Sequence, residues 1–495
     1  MYPGALLAGV LWLAPAASAQ SPPPAGTPAP AAAKEPAVEP APGQPAPTPS
    51  PAPADPPREE RTDFSFNSRA YGTGREAEPP RYVKPLSARK IPGFESLDWL
   101  DFGLDTRLRV ESRDDDYRQN NLTHDKPLLH RTRLYIGIRE IADPFRFGLE
   151  LQDSQLHNSH FDETTRDENN LDFLQAFGEL YFKDALGPDR PLRFQAGRLA
   201  FEYLDRRLIS RNPWRNTTNN FDGFRVIMGQ AKNDWQLDFL AVQPVELRLH
   251  QRDRTDEETW FYALIGAWRR WSPHIVLEPY YLVLDQDRKD ATLEDREIHF
   301  LGLRGYGLIG QTGFDYEAQV VGQFGESGRR DHRAFGFTSE IGYTFTHKWK
   351  PRASFFVGYG SGDRVADDRF SERFDRAFGF ARPWSAQDYI IWENLLTPKV
   401  RVELQPHEKI RLDFGYGMYW LASDSDGWSR AGRRDRRGES GDGIGQEFDM
   451  RVRYQLDPRM EIIVGYSHFM PGDFTKNTGP ADDSDFFYVE TTLSF

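Results

Sequence analysis

The chain holds no cysteine among its 495 residues. A disulfide framework, a thiolate metal site and a lipid anchor on cysteine are therefore excluded. Beyond the amino terminus it has no apolar run of the roughly eighteen residues that a membrane-crossing helix needs. Basic charge is also short: Lys and Arg number 62 against 75 Asp and Glu, and the net charge of −13 argues against nucleic-acid binding. The 11 histidines are scattered without metal-ligand spacing. His157 and His160 share one loop but have no recognisable catalytic partner there. Asp424-Ser425-Asp426-Gly427 has half of a calcium loop and no distal Glu. No catalytic residue, metal ligand or cofactor is expected, and the chain does not read as an enzyme.

What the chain has in quantity is alternation. In the last ten residues Phe487, Val489, Thr491, Leu493 and Phe495 share one face, and Tyr488, Glu490, Thr492 and Ser494 share the other. A period-2 segment of about ten residues with one apolar face suits a tilted strand crossing a bilayer. The aromatic carboxyl terminus resembles the signal by which bacterial outer-membrane barrels are recognised by their assembly machinery. The same period recurs upstream. Ile410, Leu412, Phe414, Tyr416, Met418 and Trp420 alternate with Arg411, Asp413, Gly415, Gly417 and Tyr419. About eighteen such strands are expected from Trp99 onward, those near Phe194 and Leu301 having the weakest pattern.

The connections sort by length. Long ones follow the odd strands, among them Ser112–Pro127, Ala200–Asn220, Glu326–His332, Ser361–Glu393 and Ala422–Gly443. Short ones follow the even strands, such as Ala142-Asp143-Pro144 and Asp457-Pro458. Long outer loops and tight periplasmic turns are the pattern of outer-membrane barrels, and an even strand count puts both termini in the periplasm. The expected fold is all-β: a closed transmembrane antiparallel barrel of about eighteen strands, in the outer membrane of a Gram-negative bacterium.

Three regions follow. Residues 1–19 read as a signal peptide, with an apolar run from Ala5 and a cleavage site at Ala17-Ser18-Ala19. Residues 20–93 begin as an almost pure Pro/Ala tract and are expected to be a disordered periplasmic linker, a tether or the ligand of a periplasmic partner. Residues 94–495 form the barrel.

By parity the lumen face carries Arg107, Arg109, Arg131, Arg133, Arg198, Arg225, Arg304, Arg352, Arg411, Arg451 and Arg453, with Arg401 beside them. The acids Asp105, Glu179, Asp413, Glu447 and Asp449 share that face, and glycines such as Gly148 and Gly415 are expected to border an open pore. The cations are nearly all Arg, whose planar fork matches a carboxylate with two parallel hydrogen bonds. Two readings stay open: arginines free to meet a carboxylated solute, or Arg–carboxylate ladders that stiffen the wall and close the pore.

Several local signatures carry a family likeness. Gly197-Arg198-Leu199, Arg206-Arg207-Leu208, Trp214 and Phe221-Asp222-Gly223-Phe224-Arg225 form a mid-chain block. Gly358-Tyr359-Gly360-Ser361-Gly362-Asp363, Gly445-Gln446-Glu447-Phe448-Asp449 and His468-Phe469-Met470-Pro471-Gly472-Asp473 follow in order. In these the chain resembles the alginate-export family of outer-membrane proteins from about Trp99 to Phe495. The resemblance implies an eighteen-stranded monomeric barrel whose charged lumen favours an anionic polysaccharide. The expected function is a passive outer-membrane channel for export or diffusion of a carboxylated poly- or oligosaccharide such as alginate. The alternatives are a general porin for small anions and a structural or adhesive surface protein with a closed pore.

Overall fold

The computed structural model describes residues 63–119, 124–272, 274–287, 295–365 and 368–495. The signal peptide and the Pro/Ala tract as far as residue 62 lie outside the described residues.

Eighteen long strands follow one another around a closed sheet. They are β1 (Leu100–Asp114), β2 (Leu128–Ile138), β3 (Phe145–His157), β4 (Asn169–Phe182), β5 (Leu192–Leu199) and β6 (Phe221–Met228). Next come β7 (Trp235–Glu246), β8 (Thr259–Ser272), β9 (Ile275–Gln286), β10 (Arg296–Leu308), β11 (Phe314–Ser327) and β12 (Arg330–Thr344). The last are β13 (Arg352–Gly360), β14 (Leu395–His407), β15 (Ile410–Trp420), β16 (Gly443–Asp457), β17 (Met460–Pro471) and β18 (Ser484–Ser494). Each pairs antiparallel with the next, and β18 pairs with β1 from Asp105↔Ser494 to Asp114↔Asp485. Closure is what a bilayer demands, since an open edge would leave backbone N–H and C=O groups in hydrocarbon without partners.

The alternation read from the sequence sets the register. Val110, Phe147, Leu301, Val400, Phe414 and Leu493 all point outward and are exposed, while their neighbours of opposite parity are buried or half-buried. Phe145, Trp235, Trp271, Phe314, Phe345 and Trp349 lie outside near the short turns, as an interfacial aromatic belt does. The weakly patterned strands β5 and β10 are both present. One outer connection differs from expectation. β11 runs to Ser327 and β12 starts at Arg330, so a tight turn stands where a longer loop was read. Gly328 supplies its positive φ of 60°.

The middle of the interior is filled. The loop over residues 200–220 folds into the lumen and places Phe201, Leu204, Leu208 and Ile209 against Phe221, Leu240, Phe261 and Phe300 of the wall. The loop over residues 361–394 does the same with Phe374, Trp384, Tyr389 and Trp392. The two loops bond to each other: Phe378 N–H donates to Leu208 O (3.0 Å) and Ser210 N–H to Phe378 O (3.2 Å). Ring contacts add cohesion, with Phe201 stacked on Phe221 at 4.8 Å and Phe374 tilted against Trp392 at 4.6 Å between centroids. The wall makes room for the indoles with glycine. A Cβ at Gly360 would stand 2.9 Å from Trp392 Cδ1, and one at Gly336 2.6 Å from Phe374 Cε2.

Candidate functional site

The lumen is the site, and three elements meet in it: the two inward loops and the segment before β1. That segment, read from the sequence as unstructured to residue 93, is seated inside the barrel from residue 63 on. It enters at the rim of the short turns, where Phe64 N–H donates to Lys232 O (2.9 Å). Ser68 Oγ donates to Glu317, and Tyr71 N–H to the Glu340 carboxylate at 3.2 Å. At the apex Arg206 Nε donates to Gly72 O (3.0 Å), and a Cβ on Gly72 would lie 2.8 Å from Pro383 Cβ. The segment then descends. Glu76 N–H donates to Glu202 (2.8 Å), Glu78 pairs with Arg225 (2.5 Å), and Tyr82 Oη donates to Glu150. Lys84-Pro85 finally pairs with Asp101-Phe102 of β1. Sequence pattern missed this because the segment has no period: its contacts are single polar side chains, not a repeating apolar face.

The arginines read from parity divide by partner. Arg304 lies between Glu278 (2.5 Å) and Glu317 (2.8 Å). Arg352 meets Asp315 (2.7 Å), Glu340 (2.7 Å) and Glu403 (3.0 Å). Asp413 gathers Arg401 (3.1 Å), Arg451 (3.1 Å) and Arg453 (3.6 Å), while Arg401 also reaches Asp449 (2.9 Å) and lies under the Tyr71 ring at 3.5 Å. Arg411 faces inward in register with Arg453 and is exposed near the rim of the short turns. The pairs of Arg304, Arg352, Arg401, Arg451 and Arg453 run from strand to strand along the wall. Burial holds the Tyr71 phenol above its usual pKa against the opposing pull of Arg401 and Arg451.

A second group grips a loop. Arg107 donates to the carbonyls of Pro213 (3.0 Å) and Arg215 (2.8 Å), Arg109 to Trp214 O (2.8 Å), and Arg131 to Pro213 O (3.2 Å). Arg133 bonds Gln152 (2.8 Å) and Thr218 (2.6 Å). Arg109 also stacks on the Trp214 ring at 3.9 Å and reaches Glu490 (3.2 Å). Asp105 lies 3.8 Å from Arg131 and accepts from Ser494 Oγ (2.9 Å). Glu447 receives Ser385 Oγ and Ala386 N–H of the other loop, both at 2.6 Å, so it too is a loop anchor. Glu179 accepts from Gln195 (2.8 Å) with Arg193 at 3.8 Å.

One assignment is corrected. Arg198 shares the outward face of β5 with exposed Phe194 and Ala196, and pairs with Asp222 (2.9 Å) near the outer rim. Counting inward cations without placing the bilayer's edge admitted a rim pair to the lumen. The expectation for Gly148 and Gly415 changes too. A Cβ at Gly148 would meet the Phe177 ring, and one at Gly415 the Asp449 and Arg401 side chains, so neither borders open water. Asp426 of the half calcium loop is taken by Arg373 (2.8 Å) and Asp363 N–H (2.9 Å). Among the described residues no group of His, Cys, Asp and Glu is arranged to hold a metal ion.

Space remains on both sides of the loops. Toward the short turns, cavities of about 190 and 370 Å³ adjoin Glu78, Arg193 and Arg225. Toward the long loops, a cavity of about 210 Å³ is bordered by Arg113, Arg118, Arg166 and Arg215, with Asp116 and Asp388. Burial lowers the Arg215 guanidinium to about 9; Asp388 opposes the fall, and Arg166, Arg376 and Arg430 add to it. With Arg109 the mouth holds five arginines, set among six acids that include Glu111, Asp125, Asp162 and Asp167. The arginines of these chambers that lie outside the strands, Arg75, Arg118, Arg139, Arg166, Arg211 and Arg215, escaped the parity reading because loops have no parity.

The sequence model for "Alginate export" matches residues 98–489. No curated protein matches the chain. Among solved structures, OccK11 (OpdR) of Pseudomonas aeruginosa is 14% identical with a TM-score of 0.54, covering 80% of this chain and 96% of that one. OccAB1 of Acinetobacter baumannii is 9% identical with a TM-score of 0.55, covering 80% and 97%. OccD3 (OpdP) of Pseudomonas aeruginosa is 12% identical with a TM-score of 0.54, covering 87% and 99%. At these identities the likeness concerns the fold.

Proposed function

The chain belongs to the alginate-export family of Gram-negative outer-membrane barrels, and on that premise we propose that it is a passive channel for carboxylated oligo- or polysaccharide. The observation that carries this reading is the excess of cations around the smaller periplasmic cavity, where Arg139, Arg146, Arg193, Arg211 and Arg225 face only Glu78, Asp101 and Glu179; on the outer side Arg113, Arg118, Arg166 and Arg215 offer further guanidinium groups among acids. A guanidinium row lowers the barrier for an anion and holds each carboxylate in a forked hydrogen bond, weakly enough at any one step for the chain to move on. The family supports a polyuronate over a small anion, since its name concerns one. The overall charge of −13 does not oppose this, because much of the acid is bound within ladders such as Glu278–Arg304–Glu317.

The barrel assembly machinery is the natural reader of Phe495, and the barrel closes without a second copy. The Pro/Ala tract is left to a periplasmic partner. The reading is tested by block of single-channel current with oligogalacturonate added on either side. Concentration-dependent block supports it; block no greater than that by neutral maltodextrin of equal length refutes it.

A further inference from the structure

Residues 63–90 occupy the solute path, and a permanently open channel gives them no task. Their hold on the barrel is thin. The described backbone pairing with the wall is at Phe64 with Lys232 and at Lys84-Pro85 with β1. Between these ends the described contacts are single polar groups, Ser68 to Glu317, Tyr71 to Glu340, Arg75 to Glu278 (3.7 Å), Glu76 to Glu202, Glu78 to Arg225 and Tyr82 to Glu150, with two ring contacts, Phe66 on Tyr306 at 5.9 Å and Tyr71 over Arg401. None belongs to the strand ladder, so the closed sheet is complete without the segment.

One of these contacts differs in kind. Wall acids such as Glu278 and Glu317 are sealed between strands at 3% exposure. Glu78 keeps 32% of its side chain open, between the two periplasmic chambers, while its partner Arg225 is 7% exposed. Arg193 and Arg211 border the same chamber. A solute carboxylate arriving there would make the same charge-assisted bond that Glu78 makes, with no charge left unpaired on the wall.

We propose that residues 63–90 are a removable stopper, and that Glu78 holds on Arg225 the place a passing solute carboxylate takes. The inference rests on the channel reading for the nature of the solute. Solute entering the periplasmic chamber competes with Glu78, and displacement of that anchor frees the apex at Gly72 from Arg206 and Pro383. The segment thus couples opening to the presence of the carboxylated cargo.

The test uses planar bilayers and three variants. Deletion of residues 63–90 should raise single-channel conductance several-fold. Glu78→Gln, in the full chain, should tighten block by trigalacturonate about tenfold, since an intrachain competitor lowers apparent affinity by the fraction of time it holds the site. Gly72→Cys with Pro383→Cys introduces the only two cysteines into the chain. Their Cβ positions, 2.8 Å apart here, are within about an ångström of disulfide spacing. Oxidised, this variant should stay closed, and reductant should restore wild-type currents in the same membrane. Unchanged conductance in a folded deletion variant would overturn the stopper, as would trigalacturonate block indifferent to Glu78→Gln. Cation-selective current through an opened deletion variant would instead defeat the solute reading and leave the stopper supported.

Discussion

Replacing Arg304 by Met should destabilise the barrel more than almost any other single change to the wall. Arg304 sits on β10 between Glu278 of β9 and Glu317 of β11, at 2.5 and 2.8 Å, with all three side chains 2–3% exposed. Removing one member of a buried pair leaves an uncompensated charge and costs about 3–5 kcal/mol. Here two acids lose a partner, but each keeps another cation, Arg75 at 3.7 Å from Glu278 and Arg207 at 3.7 Å from Glu317. The expected loss is therefore at the lower end, about 3 kcal/mol. A triple variant, Glu278→Gln with Arg304→Met and Glu317→Gln, removes all three charges together and should recover to within about 1 kcal/mol of wild type. The assay is reversible urea unfolding in phospholipid vesicles, followed by tryptophan fluorescence and checked by heat-modifiable mobility. A loss below about 1 kcal/mol for Arg304→Met would refute the ladder as a structural element. A triple variant no better than the single one would refute the charge argument and point to lost packing.

Other expectations follow from the same geometry. Phe414→Arg, on the outward face of β15 opposite Val402 and Met450, should cost about 2–4 kcal/mol in the vesicle assay, and a change under about 1 kcal/mol would contradict the register. Deleting Phe495 removes two backbone bonds to Leu104 (2.6 and 2.7 Å) and a ring that packs on Phe102. Outer-membrane fractions should hold several-fold less barrel, and normal levels would refute its role. Glu447→Ala leaves Ser385 Oγ and Ala386 N–H of the inner loop without their acceptor, at about 1–3 kcal/mol. The loop over residues 361–394 should then become cleavable by protease added outside, and full resistance would contradict its anchoring.

The sequence disclosed the wall and hid the contents. Strands such as β15 and β18 were legible because one face meets lipid and the other does not, which forces a period of two. Loop length was legible for the same topological reason, except at Ser327–Arg330. Nothing comparable marks a loop that turns inward. The aromatics Phe374, Trp384 and Trp392 read equally well as a surface lid, and only Gly336, Gly358 and Gly360 on the facing strands carry their imprint. Parity placed the lumen arginines but not their partners. Arg107, Arg109 and Arg131 point inward as read, yet they end on the carbonyls of residues 213–215 and not in open water. Arg198 shows the complementary limit, since a charge at a strand's outer end can face outward above the bilayer.

The channel account stands most directly on ion preference. The zero-current potential under a KCl gradient, at about 0.1 M and at 1 M salt, should be measured for the full chain and for the chain lacking residues 63–90. Both should prefer chloride, and the preference should shrink at high salt as screening contracts from about 10 Å to about 3 Å. A preference for potassium in both would contradict the carboxylate channel, and folded barrels that pass no current in either form would contradict a channel of any kind.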